Sequence, residues 1–402
     1  MRIKSLALAM ISLLVSYNLK GEPMSYTTES GIELTPKLTL DYEYNDNIAR
    51  IEKNHSPAVS VYSAIPSIDI AIERNLYKSL LSYQLDSGIS SDESNDFNDH
   101  TVRWFNHFEF NHRNRFNVRY QYQRKHENRG EGLTEGQGDT LPDLVYFQTH
   151  QLNTKYRFGA NGARGNIELG INYFDKRYTN YRENLPFSQT KKAKYNDFRS
   201  PSMTAEFYMR MAADTYWLIG TEQKKTTYIT PNPNQISRDG LSSTYFTGVS
   251  WAISGKTTGV ARIGVQDKHF DSVQREDFTG LSWDIGAEWT PQNQTLVSLS
   301  TKQAAINPDL YGDYNLQTRV HLTIEHNWNS YLKSDFSTSY LNEDYTGVDR
   351  KEDSYTLKVG VDYQFRRWLS VSGQWQFIEK ESNWAGYSYD QNLWSLAFNL
   401  SL

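Results

Sequence analysis

Tyr355-Thr356-Leu357-Lys358-Val359-Gly360-Val361-Asp362-Tyr363-Gln364-Phe365 is apolar at every odd position and polar or glycine at every even one. Successive side chains of an extended chain point to opposite faces, so this stretch has one apolar and one polar face. The same alternation recurs along the chain in both directions. Leu281, Trp283, Ile285, Ala287 and Trp289 alternate with Ser282, Asp284, Gly286 and Glu288. Leu34, Pro36, Leu38, Leu40, Tyr42 and Tyr44 alternate with Thr35, Lys37, Thr39, Asp41 and Glu43. Helical periodicity is hard to find after residue 33.

A soluble sandwich would show the same alternation, and the connections separate the two cases. Tight turns are read at Asn75, His112-Arg113-Asn114, Gly159 to Arg164, Ala212-Ala213-Asp214, Ser254-Gly255-Lys256, Pro291-Gln292-Asn293, Asn329-Ser330 and Arg366-Arg367. Long polar loops are read between them, near 45–57, 86–99, 126–146, 176–194, 225–242, 268–279, 303–314, 342–353 and 378–391. Short and long connections alternate, so neighbouring strands run antiparallel, with turns at one rim and loops at the other. This is the pattern of an all-β, transmembrane up-and-down antiparallel β-barrel. The connections give about 18 strands over 34–402. A count of 16 is the alternative, because 215–224 and 257–267 alternate poorly and the strand near 58–74 carries Pro57 and Pro66. The expected place is the outer membrane of a Gram-negative bacterium, with short periplasmic turns, extracellular loops and both termini periplasmic.

The two ends agree with export and insertion. Arg2 and Lys4 precede an apolar stretch over Leu6 to Val15, so residues 1–21 read as a secretory signal peptide. Residues 22–33 form a short periplasmic lead segment. At the other end Trp394, Leu396, Phe398, Leu400 and Leu402 alternate with polar or small residues to the final position. This resembles the C-terminal signal read by the outer-membrane assembly machinery, although that signal usually ends in an aromatic residue.

Composition narrows the functional classes. The 402 residues hold no Cys, which excludes disulfides, thiolate metal sites and a cysteine nucleophile. With 42 Lys+Arg against 47 Asp+Glu the chain has no basic field for nucleic acid. Apart from the N-terminus no run of about 18 apolar residues exists to form a membrane helix. The mean hydropathy is −0.69, yet 14% of residues are aromatic. Apolar residues confined to one face of each strand reconcile the two figures.

No catalytic set, cofactor motif or metal-ligand spacing is found. His321, with Arg319 and Glu325 on one predicted inward face, is the best constellation, and it reads more simply as part of a solvated wall. The acidic loop Asp92 to Asp99 has oxygen ligands for Ca²⁺ but lacks an EF-hand frame. The candidate lumen-lining residues are Arg103, Glu109, Arg119, Gln121, Arg157, Glu206, Arg210, Arg262, Asp284, Glu288, Arg319, His321, Glu325, Lys358 and Asp362. Their signs are mixed, unlike the single-sign ring of a strongly ion-selective pore. Tyr42, Tyr44, Trp104, Tyr122, Trp251, Trp289, Trp328, Tyr363 and Trp394 are candidate aromatic-girdle residues.

Asp41-Tyr42-Glu43-Tyr44-Asn45-Asp46-Asn47-Ile48, close behind the signal, resembles the β-barrel porin family of exopolysaccharide and capsule gene clusters. Arg74-Asn75-Leu76-Tyr77, Arg113-Asn114-Arg115-Phe116 and Asn98-Asp99-His100 fit the same picture. The resemblance implies a wide barrel that passes a surface polysaccharide without chemistry, working with a polymerase and periplasmic polysaccharide export components; outer-membrane lipid and lipopolysaccharide are the partners expected of the barrel's apolar face. It carries over no catalytic residue. A general or sugar-specific diffusion porin, an outer-membrane enzyme and a structural or adhesive barrel are the competing readings.

Overall fold

Inside a bilayer each backbone N–H and C=O must find a partner in the protein, so amphipathic strands are stable there only when the sheet closes on itself. The computed structural model describes residues 25–52, 57–185, 191–253 and 255–401. The signal expected over 1–21 and the final Leu402 lie outside the described residues. A two-residue strand β1 (Tyr26–Thr27) precedes the barrel strands. The first half of the wall is β2 (Ile32–Asn45), β3 (Val59–Arg74), β4 (Tyr77–Ser90), β5 (Phe97–Asn111), β6 (Asn114–Glu127), β7 (Val145–Phe158), β8 (Gly165–Tyr178), β9 (Phe198–Ala212) and β10 (Thr215–Tyr228). The second half is β11 (Gly240–Ile253), β12 (Thr257–Phe270), β13 (Phe278–Gln292), β14 (Thr295–Ile306), β15 (Asn315–Asn327), β16 (Leu332–Tyr345), β17 (Arg350–Arg366), β18 (Leu369–Ser382) and β19 (Tyr389–Ser401). Each pairs antiparallel with its chain neighbours, and β19 pairs with β2 from Leu393↔Asn45 to Ser401↔Lys37. The barrel strands β2 to β19 number 18, which removes the alternative of 16.

The seam is clasped by the motif that carries the family resemblance. Asn45 Oδ1 accepts from Gln391 Nε2 at 2.9 Å, and Asp46 Oδ1 accepts from the Asn392 backbone N–H at 2.6 Å. Asn47 Nδ2 donates to the Asp390 carbonyl at 2.8 Å. These side chains tie the end of the first barrel strand to the start of the last, where no hairpin joins them.

The segments that alternate poorly in sequence are strands for an identifiable reason. Pro66 sits in β3 opposite Leu38, and the β3–β4 ladder skips Ile65 and Pro66 without changing register, because proline has no N–H to donate. In β10 and β12 the inward positions Tyr216, Leu218 and Val260 are themselves apolar and pack with Tyr208 and Phe246, so both faces read as apolar.

Loop lengths need correction. Residues 342–345 and 350–353 are paired strand, from Tyr345↔Arg350 to Asn342↔Asp353, leaving only 346–349 as the connection. The expected loops near 86–99, 268–279 and 378–391 shrink likewise to 91–96, 271–277 and 383–388. About 9–11 residues cross the hydrocarbon layer, whereas these strands run from 12 to 17. Their ends project into water, where polar side chains no longer distinguish strand from loop. The connections 46–58, 128–144, 179–197 and 229–239 stay long.

Candidate functional site

Arg262 on β12 reaches Glu206 on β9 at 3.0 Å with β10 and β11 between them, a contact available only across the concave side of the sheet. Their neighbours Phe207 and Ile263 are exposed on the opposite, convex side. Strand parity puts the other candidate wall residues on the concave face too: Arg103 and Glu109 on β5, Arg119 and Gln121 on β6, Arg157 on β7 and Arg210 on β9. Asp284, Glu288, Arg319, His321, Glu325, Lys358 and Asp362 continue that face from β13 to β17. The face is laced by pairs such as Asp284–Lys302 at 3.2 Å and Glu325–Lys333 at 2.9 Å. His321 hydrogen-bonds Thr323 at 3.0 Å while Glu325 turns to Lys333, so the His321 constellation is not assembled. Of the candidate girdle rings, Tyr42, Tyr44, Tyr122 and Trp394 stand towards the long-loop end. Trp251, Trp289, Trp328 and Tyr363 stand towards the short-turn end, whereas Trp104 lies midway along β5.

The acidic stretch 92–99 spends its oxygens locally. Asp92 caps a short 3-10 turn over Glu93–Asn95, Asp96 accepts from the Ser90 backbone N–H at 2.7 Å, and Asp99 pairs with His126 at 3.1 Å. Among the described residues no three acidic or histidine side chains are grouped to hold a metal ion.

The feature that sequence reading misses lies at the long-loop rim, where the loops converge on one another. Leu133 and Leu141 of the 128–144 loop pack with Val145, Tyr178, Leu185 and Ala193, and Leu310 of the 307–314 loop packs against them. This gives the loops an apolar core of their own. Buried arginines then cross-link them. Arg129 donates to Asn95 Oδ1 at 2.6 Å and to the Leu141 carbonyl at 2.6 Å. Arg238 donates to the Asp309 carbonyl at 2.8 Å and to Asn196 Oδ1 at 2.6 Å. Arg275 joins Ile236 and Ser237 to Gly312 and Asp313.

The 128–144 loop also crosses to a distant part of the wall. It springs from β6 and β7, yet Glu135 pairs with Arg350 of β17 and lies 3.0 Å from Lys380 of β18. Strands β19 and β2 to β5 separate the two regions in the sheet. On the way, Arg50 of the first loop pairs with Glu131. Gly136 has φ +71° and any Cβ there would meet the Tyr387 ring, and a Cβ on Gly138 would stand 1.9 Å from the Ala49 carbonyl oxygen. Glycine lets this loop lie against its neighbours. The run Gly130-Glu131-Gly132, then Gly136-Gln137-Gly138, was the available sequence signal.

Comparisons with known proteins bear on the whole chain. Residues 33–401 match the family model described as "Putative beta-barrel porin 2". No curated protein matches the sequence. Among solved structures, a BenF-like porin from Pseudomonas fluorescens Pf-5 shares 11% identity at a TM-score of 0.48, covering 92% of this chain and 99% of that one. OccAB3 from Acinetobacter baumannii gives 11% and 0.47, with 92% and 99% covered. The siderophore receptor PirA from Pseudomonas aeruginosa gives 9% and 0.45, with 92% and 80% covered.

Proposed function

The chain belongs to the β-barrel porin family whose model it matches over 33–401, and on that premise we propose that it is a gated outer-membrane passage for a surface exopolysaccharide or capsule. The polymer moves outward through the polar bore, and the barrel does no chemistry on it. Charges of both signs, amides and hydroxyls on the concave face suit a hydroxyl-rich chain that makes many modest hydrogen bonds.

The observation that carries the reading is the plug. A diffusion porin works with its mouth open, whereas here the 128–144 loop is fastened over the first loop to β17 and β18, with five strands between β18 and β6 in the ring. The short turns and both termini face the periplasm, where export components deliver the polymer. The assembly machinery reads β19, and outer-membrane lipid and lipopolysaccharide cover the apolar face.

Planar-bilayer recording of the full chain tests it. The expected record is a mostly closed channel with infrequent large openings. Steady conductance with free passage of small sugars would select the diffusion-porin reading. In cells, deletion of the gene is expected to abolish surface polysaccharide, and a deletion strain with a normal coat would refute export.

A further inference from the structure

Glu135 sits in a socket that the wall builds for a carboxylate. Arg350 is 1% exposed, and its Nε donates to Glu352 Oε1 at 2.8 Å while its Nη2 meets Glu135. Lys380 Nζ stands 3.0 Å from Glu135 Oε1 and 2.8 Å from Glu352 Oε2. The rings of Tyr345, Tyr387 and Trp384 lie 4.2, 4.6 and 5.5 Å from the guanidinium carbon, close enough for cation–π attraction.

With the loop in place the socket holds two cations and two carboxylates. The two carboxylates differ in freedom. Glu352 lies two residues from Arg350 on β17 and stays with it. Glu135 belongs to a loop and leaves when the loop withdraws. The wall then keeps Arg350 and Lys380 with Glu352 as the one carboxylate in contact with both, because Glu343, opposite Glu352, accepts from Asn315 and Gln317 instead; Glu135's departure leaves this ring-lined site short of one negative charge. A cation held away from water needs a counter-charge, and a guanidinium beside an ammonium is geometrically suited to a carboxylate.

We propose that Arg350 and Lys380 form a carboxylate-binding site, that Glu135 occupies it as a built-in competitor in the closed barrel, and that its ligand is a carboxylate-bearing glycan of the polyuronate class. An acid group of the glycan takes the place of Glu135 as the loop withdraws, which couples opening to the presence of cargo. This rests on the reading of the barrel as a polysaccharide passage and specifies which polymer it takes.

The test uses the full chain in planar bilayers with polygalacturonate and, as the neutral comparison, dextran of matched length. Polygalacturonate is expected to raise the open fraction of the wild-type channel by about tenfold, within the usual range of ligand coupling, and dextran to leave it unchanged. Glu135→Gln is expected to open without polymer and to bind polygalacturonate more tightly, because the site stands empty. Heat-modifiable gel mobility checks that each variant is a folded barrel. A Glu135→Gln channel as closed as wild type, or equal responses to the two polymers, would overturn the site. If that happens while the deletion strain still lacks surface polysaccharide, export stands and only the carboxylate specificity falls.

Discussion

Arg350→Ala is expected to unfasten the 128–144 loop while leaving the barrel folded. Removing the guanidinium leaves Glu352, fully buried, and Glu135 with Lys380 as their only shared cation among the contacts described. Breaking a buried ion pair by deleting one partner costs about 3–5 kcal/mol, because the remaining charge stays buried. No allowance for solvent screening is due at a residue 1% exposed. A loss of that size in the closed state shifts a closed–open equilibrium by about two to four orders of magnitude. Tryptic cleavage after Arg129 and a rise in channel open time should report it, with heat-modifiable mobility unchanged. The adjacent Lys351 provides the contrast, since its pair with Asp344 is 3.6 Å apart and both side chains are exposed. Lys351→Ala is expected to cost under about 1 kcal/mol. If Arg350→Ala leaves the loop as resistant as before, the apolar core around Leu133 holds it unaided and the ion cluster is not what keeps the mouth shut.

The contrast between wall and plug explains how much of this molecule was legible in its sequence. A lipid solvent imposes apolarity on one face of every spanning strand, so Tyr355 to Phe365 or Leu281 to Trp289 announce themselves without any knowledge of their partners. The count of 18 follows from such segments. Legibility fails where that solvent stops acting. Beyond the hydrocarbon the pairs Glu343↔Glu352 and Asp344↔Lys351 are strand made of charged residues, and their sequence reads as loop. It fails again where an inward face is apolar, as at Leu218 and Val260, because alternation disappears although the strand does not. The plug was hidden for a different reason. Glu135 and Arg350 are 215 residues apart, and a glutamate in a polar loop carries no mark of the cation it will meet.

Val359→Arg asks the most of the assignment of faces. Val359 is 40% exposed on the convex side, midway along the apolar run from Tyr355 to Phe365. The neighbouring Lys358 points to the concave side, opposite Ser337 and Gln376. If the convex face meets lipid, an arginine near the middle of the bilayer costs about 2–4 kcal/mol, a penalty that falls towards either interface. Tyr363→Arg, nearer the short-turn rim, should therefore cost less than Val359→Arg. Lys358→Ala, half-buried on the concave face, should cost less than either arginine substitution, about 1 kcal/mol or under, because its charge keeps access to the water of the bore. Urea unfolding from phospholipid vesicles, read by tryptophan fluorescence, measures all three. The order of costs matters more than their size, because a soluble barrel with its core inside would reverse it. A charge on the exposed convex face would then be harmless, and the concave substitution would be the damaging one.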